Sequence, residues 1–194
     1  MGTGNLFAIV LAAGSASRFG ATKQLATFDG EPLVSRAVRL AEYTCGQNVV
    51  LVTGNDRTRV AAACAPLAGF VTVNPDYSSG LSSSIRAGVE AISPAADAAL
   101  LLLADQPQVG IDDLMALCAT WRRKPDAIVA SAYAGTAGPP AIFPRALFPA
   151  LTALDGDRGA KGVIEAHRDI VELIECEAAA VDIDRPQDLE ELRN

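Results

Sequence analysis

Five short apolar runs, each of strand length, constrain this chain most: LFAIVLAA (6–13), NVVLVTG (48–54), FVTV (70–73), AALLLLA (98–104) and AIVAS (127–131). None alternates cleanly between apolar and polar residues, so each reads as a strand covered on both faces. Between them lie stretches with helical spacing, at 31–43, 56–67, 81–92 and 112–123. The first opens behind an Asp29-Gly30 turn, with Pro32 where a helix start tolerates a missing N–H. Strand then helix, repeated, predicts an α/β fold: one domain over residues 1–194, three-layer α/β/α, with a mostly parallel, Rossmann-like sheet. After residue 131 the pattern breaks into AYAGTAGPPAIFPRALFPAL, rich in Gly and Pro, which predicts an excursion that roofs a pocket. The charged tail DRPQDLEELRN predicts a terminal helix.

Sheets of this kind collect ligands beyond the carboxyl ends of their strands, near a reversal of strand order. Each loop after a strand is therefore a candidate wall of one site. Composition narrows what that site takes. A chain of 194 residues buries about 70 % of its unfolded surface and needs no metal or disulfide to hold it. Aromatic residues make up only 5 % and the net charge is −7, so neither a stacking surface nor a basic face for nucleic acid is available. Cys45, Cys64, Cys118 and Cys176 form no C-x-x-C and have no neighbouring histidine, which predicts buried thiols rather than a zinc or redox site. The apolar runs are too short to span a bilayer, and no basic segment with a long apolar core opens the chain, so a cytoplasmic protein without membrane partners is expected.

The first strand runs into the loop GSASRFGATK. Five residues separate Gly14 from Gly20 and Ala21 follows, so the loop is not a G-x-x-x-x-G-K-[ST] phosphate cradle. It lacks G-x-G-x-x-G as well, which removes the main support for hydride chemistry. What remains is a run of small residues whose backbone N–H groups can approach phosphate oxygens, with Arg18 and Lys23 close behind. An ordinary surface turn with solvated charges has the same composition.

LAAGSASRFGATK closing a first strand resembles the opening signature of nucleotidyltransferases that activate sugars, lipid precursors and pterin cofactors. Further pieces recur in order: LLLADQPQV (101–109), NPDYSSGLSSSIRAG (74–88), GPPAIFP (138–144), LDGDRGAK (154–161) and VDIDRPQDL (181–189). Over essentially the whole chain they resemble the MobA-like branch, to which the molybdenum cofactor cytidylyltransferases belong. The resemblance implies attack by the terminal phosphate of a molybdopterin-type pterin on the α-phosphate of CTP, with pyrophosphate leaving. A molybdenum hydroxylase would receive the cofactor.

Such a reaction needs no protein nucleophile, which fits the absence of a Ser-His-Asp pattern around the sole histidine, His167. The resemblance places the nucleotide on Leu11, Ala12, Ala13, Gly14, Gly80, Ser83 and Ser84, and its phosphates on Arg18 and Lys23. Mg2+ or Mn2+ would sit on Asp105 and on one or both of Asp182 and Asp184, two apart and on one face if extended. Gly138, Pro139, Asp157, Arg158 and Gly159 would face the acceptor. Ala13 goes with cytidine, since LAGG stands there in relatives that transfer GMP to the same pterin. Rival readings are the same chemistry on another acceptor or base, and a non-catalytic escort of cofactor into a molybdenum enzyme.

Overall fold

A computed structural model describes residues 4–14, 19–67, 69–92, 94–157 and 159–192. In chain order the main elements are β1 (Leu6–Ala12), β2 (Thr27–Phe28), β3 (Glu31–Pro32), α1 (Leu33–Cys45), β4 (Val49–Thr53), α2 (Arg57–Ala63) and β5 (Phe70–Val73). There follow α3 (Leu81–Ala91), β6 (Ala98–Leu103), α4 (Ile111–Arg123), β7 (Ile128–Tyr133), β8 (Thr136–Pro144), α5 (Phe148–Thr152), α6 (Lys161–Ala166), β9 (Val171–Glu175) and α7 (Pro186–Glu191).

Seven strands form one sheet in the order β5-β4-β1-β6-β8-β7-β9, and β2 and β3 make a separate hairpin. All neighbouring pairs are parallel except those of β8 with β6 and β7. Six strands therefore point their carboxyl ends to one edge. β1 and β4 are buried throughout, as apolar runs without alternation require. The two faces carry separate cores. Residues such as Ala8, Val10 and Leu100 meet α1 and α4 through Val34, Val38, Leu114 and Leu117, while Ile9 and Leu101 share a core with Ile85 of α3, Leu151 of α5 and Ile164 of α6. The result is the expected three-layer α/β/α arrangement. Among the described residues no helix is long and apolar enough to cross a membrane.

Four expectations need correction. FVTV (70–73) is an edge strand with Phe70, Val71 and Val73 exposed, not a strand covered on both faces. Glu31 and Pro32 belong to the β2–β3 hairpin, so α1 opens at Leu33. The stretch after residue 131 does not simply roof a pocket, because β8 threads between β6 and β7 as an internal strand. Its prolines fit there because the β7–β8 register shifts from Ala130↔Ala141 to Ser131↔Gly138, leaving Pro139 and Pro140 at a bulge where no ladder N–H is needed. Finally, Asp182 and Asp184 do not share the face of a strand, because residues 181–184 lie in a loop and the last strand is β9.

Candidate active site

The chain reverses its direction of travel across the sheet at β1: the next two strands stack on one side of it, and β6 returns to the other. The loops after β1 and β6 flank that switch point, where ligands bind in such sheets. From the first comes Lys23, at the start of a single 3-10 turn, and from the second Asp105. The Lys23 Nζ donates to Asp105 Oδ2 at 2.7 Å and to Asp184 Oδ1 at 3.3 Å. The Lys23 side chain is 13 % exposed, that of Asp105 26 % and that of Asp184 60 %, so the triad is covered from the Lys23 side and open at Asp184. Burial alone would pull the ammonium pKa down, but the Asp105 and Asp184 carboxylates outweigh it and hold it above the ordinary lysine value.

Each member is held by a local reason. Before Lys23, the Thr22 hydroxyl donates to Asp56 Oδ2 at 2.6 Å. After it, the buried Gln24 donates from Nε2 to the Gly14 carbonyl at 2.9 Å, which ties the turn to the end of β1. Ile183 brings in the distant carboxylates: fully buried, it packs with Phe28, Leu33 and Leu189, and its N–H donates to the Asp105 carbonyl at 2.9 Å. The backbone N–H groups of Asp184 and Arg185 both donate to Asp188 Oδ2 at 2.7 Å, fixing the entry into α7.

Asp182 takes a different place. Crowding by protein around its carboxyl, followed by the charges of Asp105 and Asp184, pushes its pKa up to about 6, although part of the residue stays open to water. Two hard carboxylate donors converging on one cation are the set a divalent metal such as Mg2+ uses when phosphates and waters complete its shell. Asp105 and Asp184, bridged by the one Lys23 nitrogen, are such a pair of donors.

The other expected residues divide. Leu11, Ala12 and Ala13 are buried at the end of β1, and the Ala13 carbonyl accepts from the Asn55 N–H at 3.3 Å. Gly80 precedes α3 with φ 102° and ψ 177°, a conformation that glycine alone adopts readily. A Cβ there would lie 2.3 Å from Asp157 Oδ1 and 2.7 Å from the Gly156 carbonyl oxygen, so Gly156 and Asp157 rest on the start of α3. Gly159 packs there as well, against Leu81. Ser83 and Ser84 are engaged internally: both hydroxyls accept from the Asn74 amide, at 2.8 and 3.0 Å, and the Ser83 hydroxyl lies 2.8 Å from the Gly80 carbonyl it can donate to. Arg18 and Arg158 lie outside the described residues.

A model of the MobA-like NTP transferase domain matches residues 8–171. The chain belongs to the MobA-like NTP transferase family. It is a nucleotidyltransferase by that membership. Purine catabolism protein PucB of Bacillus subtilis (strain 168) is 30 % identical over 169 residues, 83 % of this chain and 81 % of that one. Nicotine blue oxidoreductase of Paenarthrobacter nicotinovorans is 30 % identical over 187 residues, covering 91 % and 90 %. Molybdenum cofactor cytidylyltransferase of Escherichia coli (strain K12) is 26 % identical over 135 residues, covering 69 % and 67 %. Among solved structures, that of Rv0371c from Mycobacterium tuberculosis H37Rv in complex with manganese superposes with a TM-score of 0.80 at 27 % identity, over 97 % of both chains. That structure thus holds a divalent metal.

Two residues beside the site lie outside the quoted family segments and emerge only from the packing, Gln24 and Tyr133. The Tyr133 hydroxyl sits where a Cβ on Gly138 would be, 2.4 Å away, which explains glycine at that position. Burial first, then the Asp182 charge, raises its pKa above the ordinary tyrosine value. Tyr133 also lines a cleft of about 690 Å³ with Thr136, Lys161, Ile164, Arg168 and Glu175. Asn74 and Ile183 lie within the segments 74–88 and 181–189, but neither is among the expected site residues, and their roles come from the contacts they make.

Proposed function

We propose that the protein transfers CMP from CTP to the terminal phosphate of a molybdopterin-type pterin, forming the cytosine dinucleotide and releasing pyrophosphate. The observation that carries this reading is the convergence of Lys23, Asp105 and Asp184 at the switch-point edge of a nucleotidyltransferase fold. Asp105 and Asp184 would hold Mg2+ or Mn2+, which supplies charge neutralisation to the triphosphate. The acceptor phosphate oxygen attacks the α-phosphorus and the bond from that phosphorus to the pyrophosphate oxygen breaks, with no covalent enzyme intermediate. The chain's own work is to bring two anions together in line and to meet charge on the leaving group.

In this reading Lys23, with Arg18, meets the β- and γ-phosphates, and the backbone from Leu11 to Gly14 lies along the nucleotide. Gly80 and the Ser83–Ser84 segment shape the far wall for ribose and base. The pterin occupies the cleft that Tyr133 lines, and Gly138, which packs against the Tyr133 hydroxyl, would face the acceptor together with Pro139. Asp157 and Gly159, which lie against the start of α3, would face the acceptor as well. A molybdenum hydroxylase would receive the product.

The test is a panel of NTPs against molybdopterin, bare and metal-loaded, scored for the dinucleotide and for pyrophosphate. CTP with a divalent cation should give product, and Asp105→Asn should lower turnover by about a hundredfold or more, the scale on which such electrostatic groups act. Equal use of GTP and CTP would overturn the cytidylyl assignment, and no turnover with any NTP would leave the escort reading in its place.

A further inference from the structure

We infer that the Lys23 ammonium and a divalent cation compete for Asp105 and Asp184, so that metal binds tightly only when a polyphosphate draws the lysine away. The inference rests on the reading of Asp105 and Asp184 as the metal carboxylates. Its basis is that one nitrogen bridges both, at 2.7 Å and 3.3 Å, from a turn far from either in sequence.

The surroundings make the lysine a switch rather than a fixed prop. The backbone on either side of it is pinned, by Thr22 on Asp56 and by buried Gln24 on the Gly14 carbonyl. The side chain itself is a four-carbon stem ending in a point charge with rotatable donors, which moves between acceptors without the planar match an arginine needs. While Lys23 bridges the carboxylates, its ammonium already offsets part of their negative charge, and an added dication would sit against a like charge a few ångströms away. A polyphosphate changes that balance. It offers Lys23 a more highly charged partner, frees the carboxylates, and supplies oxygens that complete a metal's shell. Metal and polyphosphate then favour one another, and by linkage each raises the other's affinity by the same factor. The consequence is that the two ligands enter together, and a metal ion alone gains little from the site.

The experiment is calorimetric titration of the full chain, wild type, Lys23→Met and Lys23→Gln, with Mn2+ alone and with inorganic tripolyphosphate alone. Competition predicts opposite shifts: at least tenfold tighter Mn2+ in both variants and at least fivefold weaker tripolyphosphate. A lysine with a merely structural role moves neither affinity in this crossed way. The wild type gives a second readout that needs no variant to fold. The chain has three lysines, Lys23, Lys124 and Lys161, and lysine-labelled protein should show one side-chain signal shifting as Mg2+ saturates the site. If Mn2+ affinity is unchanged within twofold in the variants, or no lysine signal moves, the inference is overturned while the nucleotidyltransferase assignment stands. If Mn2+ fails to bind the wild type even with tripolyphosphate present, the metal reading falls with it.

Discussion

Replacing Gly80 by alanine should cost this protein more stability than its size suggests. At φ 102° and ψ 177° the backbone is in a region that side chains rarely enter, a strain of about 1–3 kcal/mol. The new Cβ would also lie 2.3 Å from Asp157 Oδ1 and 2.7 Å from the Gly156 carbonyl oxygen. The aspartate can turn away, but the carbonyl belongs to backbone that also accepts the Ser82 N–H at 3.2 Å, so relieving the overlap adds about 1–3 kcal/mol. The stiffer unfolded chain returns about 0.4–1 kcal/mol. A net loss of about 3 kcal/mol follows, which for a domain of this size lowers Tm by about 6–12 °C. The control is Gly30→Ala, at φ +80 with nothing within 4 Å of the added carbon, where only the backbone strain applies. Differential scanning calorimetry of both variants, with the KM for CTP, tests the reasoning. A Gly80→Ala melting point no lower than that of Gly30→Ala would refute the contact of Gly156 and Asp157 with the start of α3 as the source of the cost.

Asp182, raised to about 6 from its ordinary value of 3.8, should make the metal-free fold lose stability as pH rises between those values, because the unfolded form ionises first. Asp182→Asn should therefore melt higher than wild type at pH 7 to 8, the difference closing below pH 4 in thermal denaturation. Burial pushes Cys45 up to about 12 and Cys64 up to about 11, so neither is a thiolate at pH 8. Alkylation by iodoacetamide should run far slower than for the same protein in denaturant, and a fast-reacting thiol at either position would contradict this. Ala13→Gly should relax a preference for CTP over GTP by about tenfold, since overpacking against the larger ring amounts to about 1–3 kcal/mol; competition between the two nucleotides measures it.

The parallel half of the fold was readable because strands buried on both faces leave unbroken apolar runs, as at 48–54 and 98–104. β8 was not, because Gly138, Pro139 and Pro140 are poor strand residues whose place depends on a bulge opposite Ser131. β9 was missed for a related reason: VELIE lies at the sheet edge, so its charged residues are tolerated there. In the site, Lys23 and Asp105 stand directly beside recognisable punctuation in the chain. Asp184 reaches them through Ile183, a tertiary contact that no local pattern announces. Tyr133 is likewise tied to Gly138 only across a hairpin.

The position of β8 also bears on how the chain is made. Strands β5, β4, β1 and β6 are contiguous in the sheet and complete by residue 103, so this half can assemble as it leaves the ribosome. Its outer strand would then be AALLLL, an apolar edge with unpaired backbone groups, until β8 has been synthesised and has turned back to cover it. At about 5–20 residues per second, the synthesis of residues 104–144 exposes that edge for several seconds. A nascent chain arrested in this interval is a natural client for a chaperone and a strand template for its neighbours on the same message.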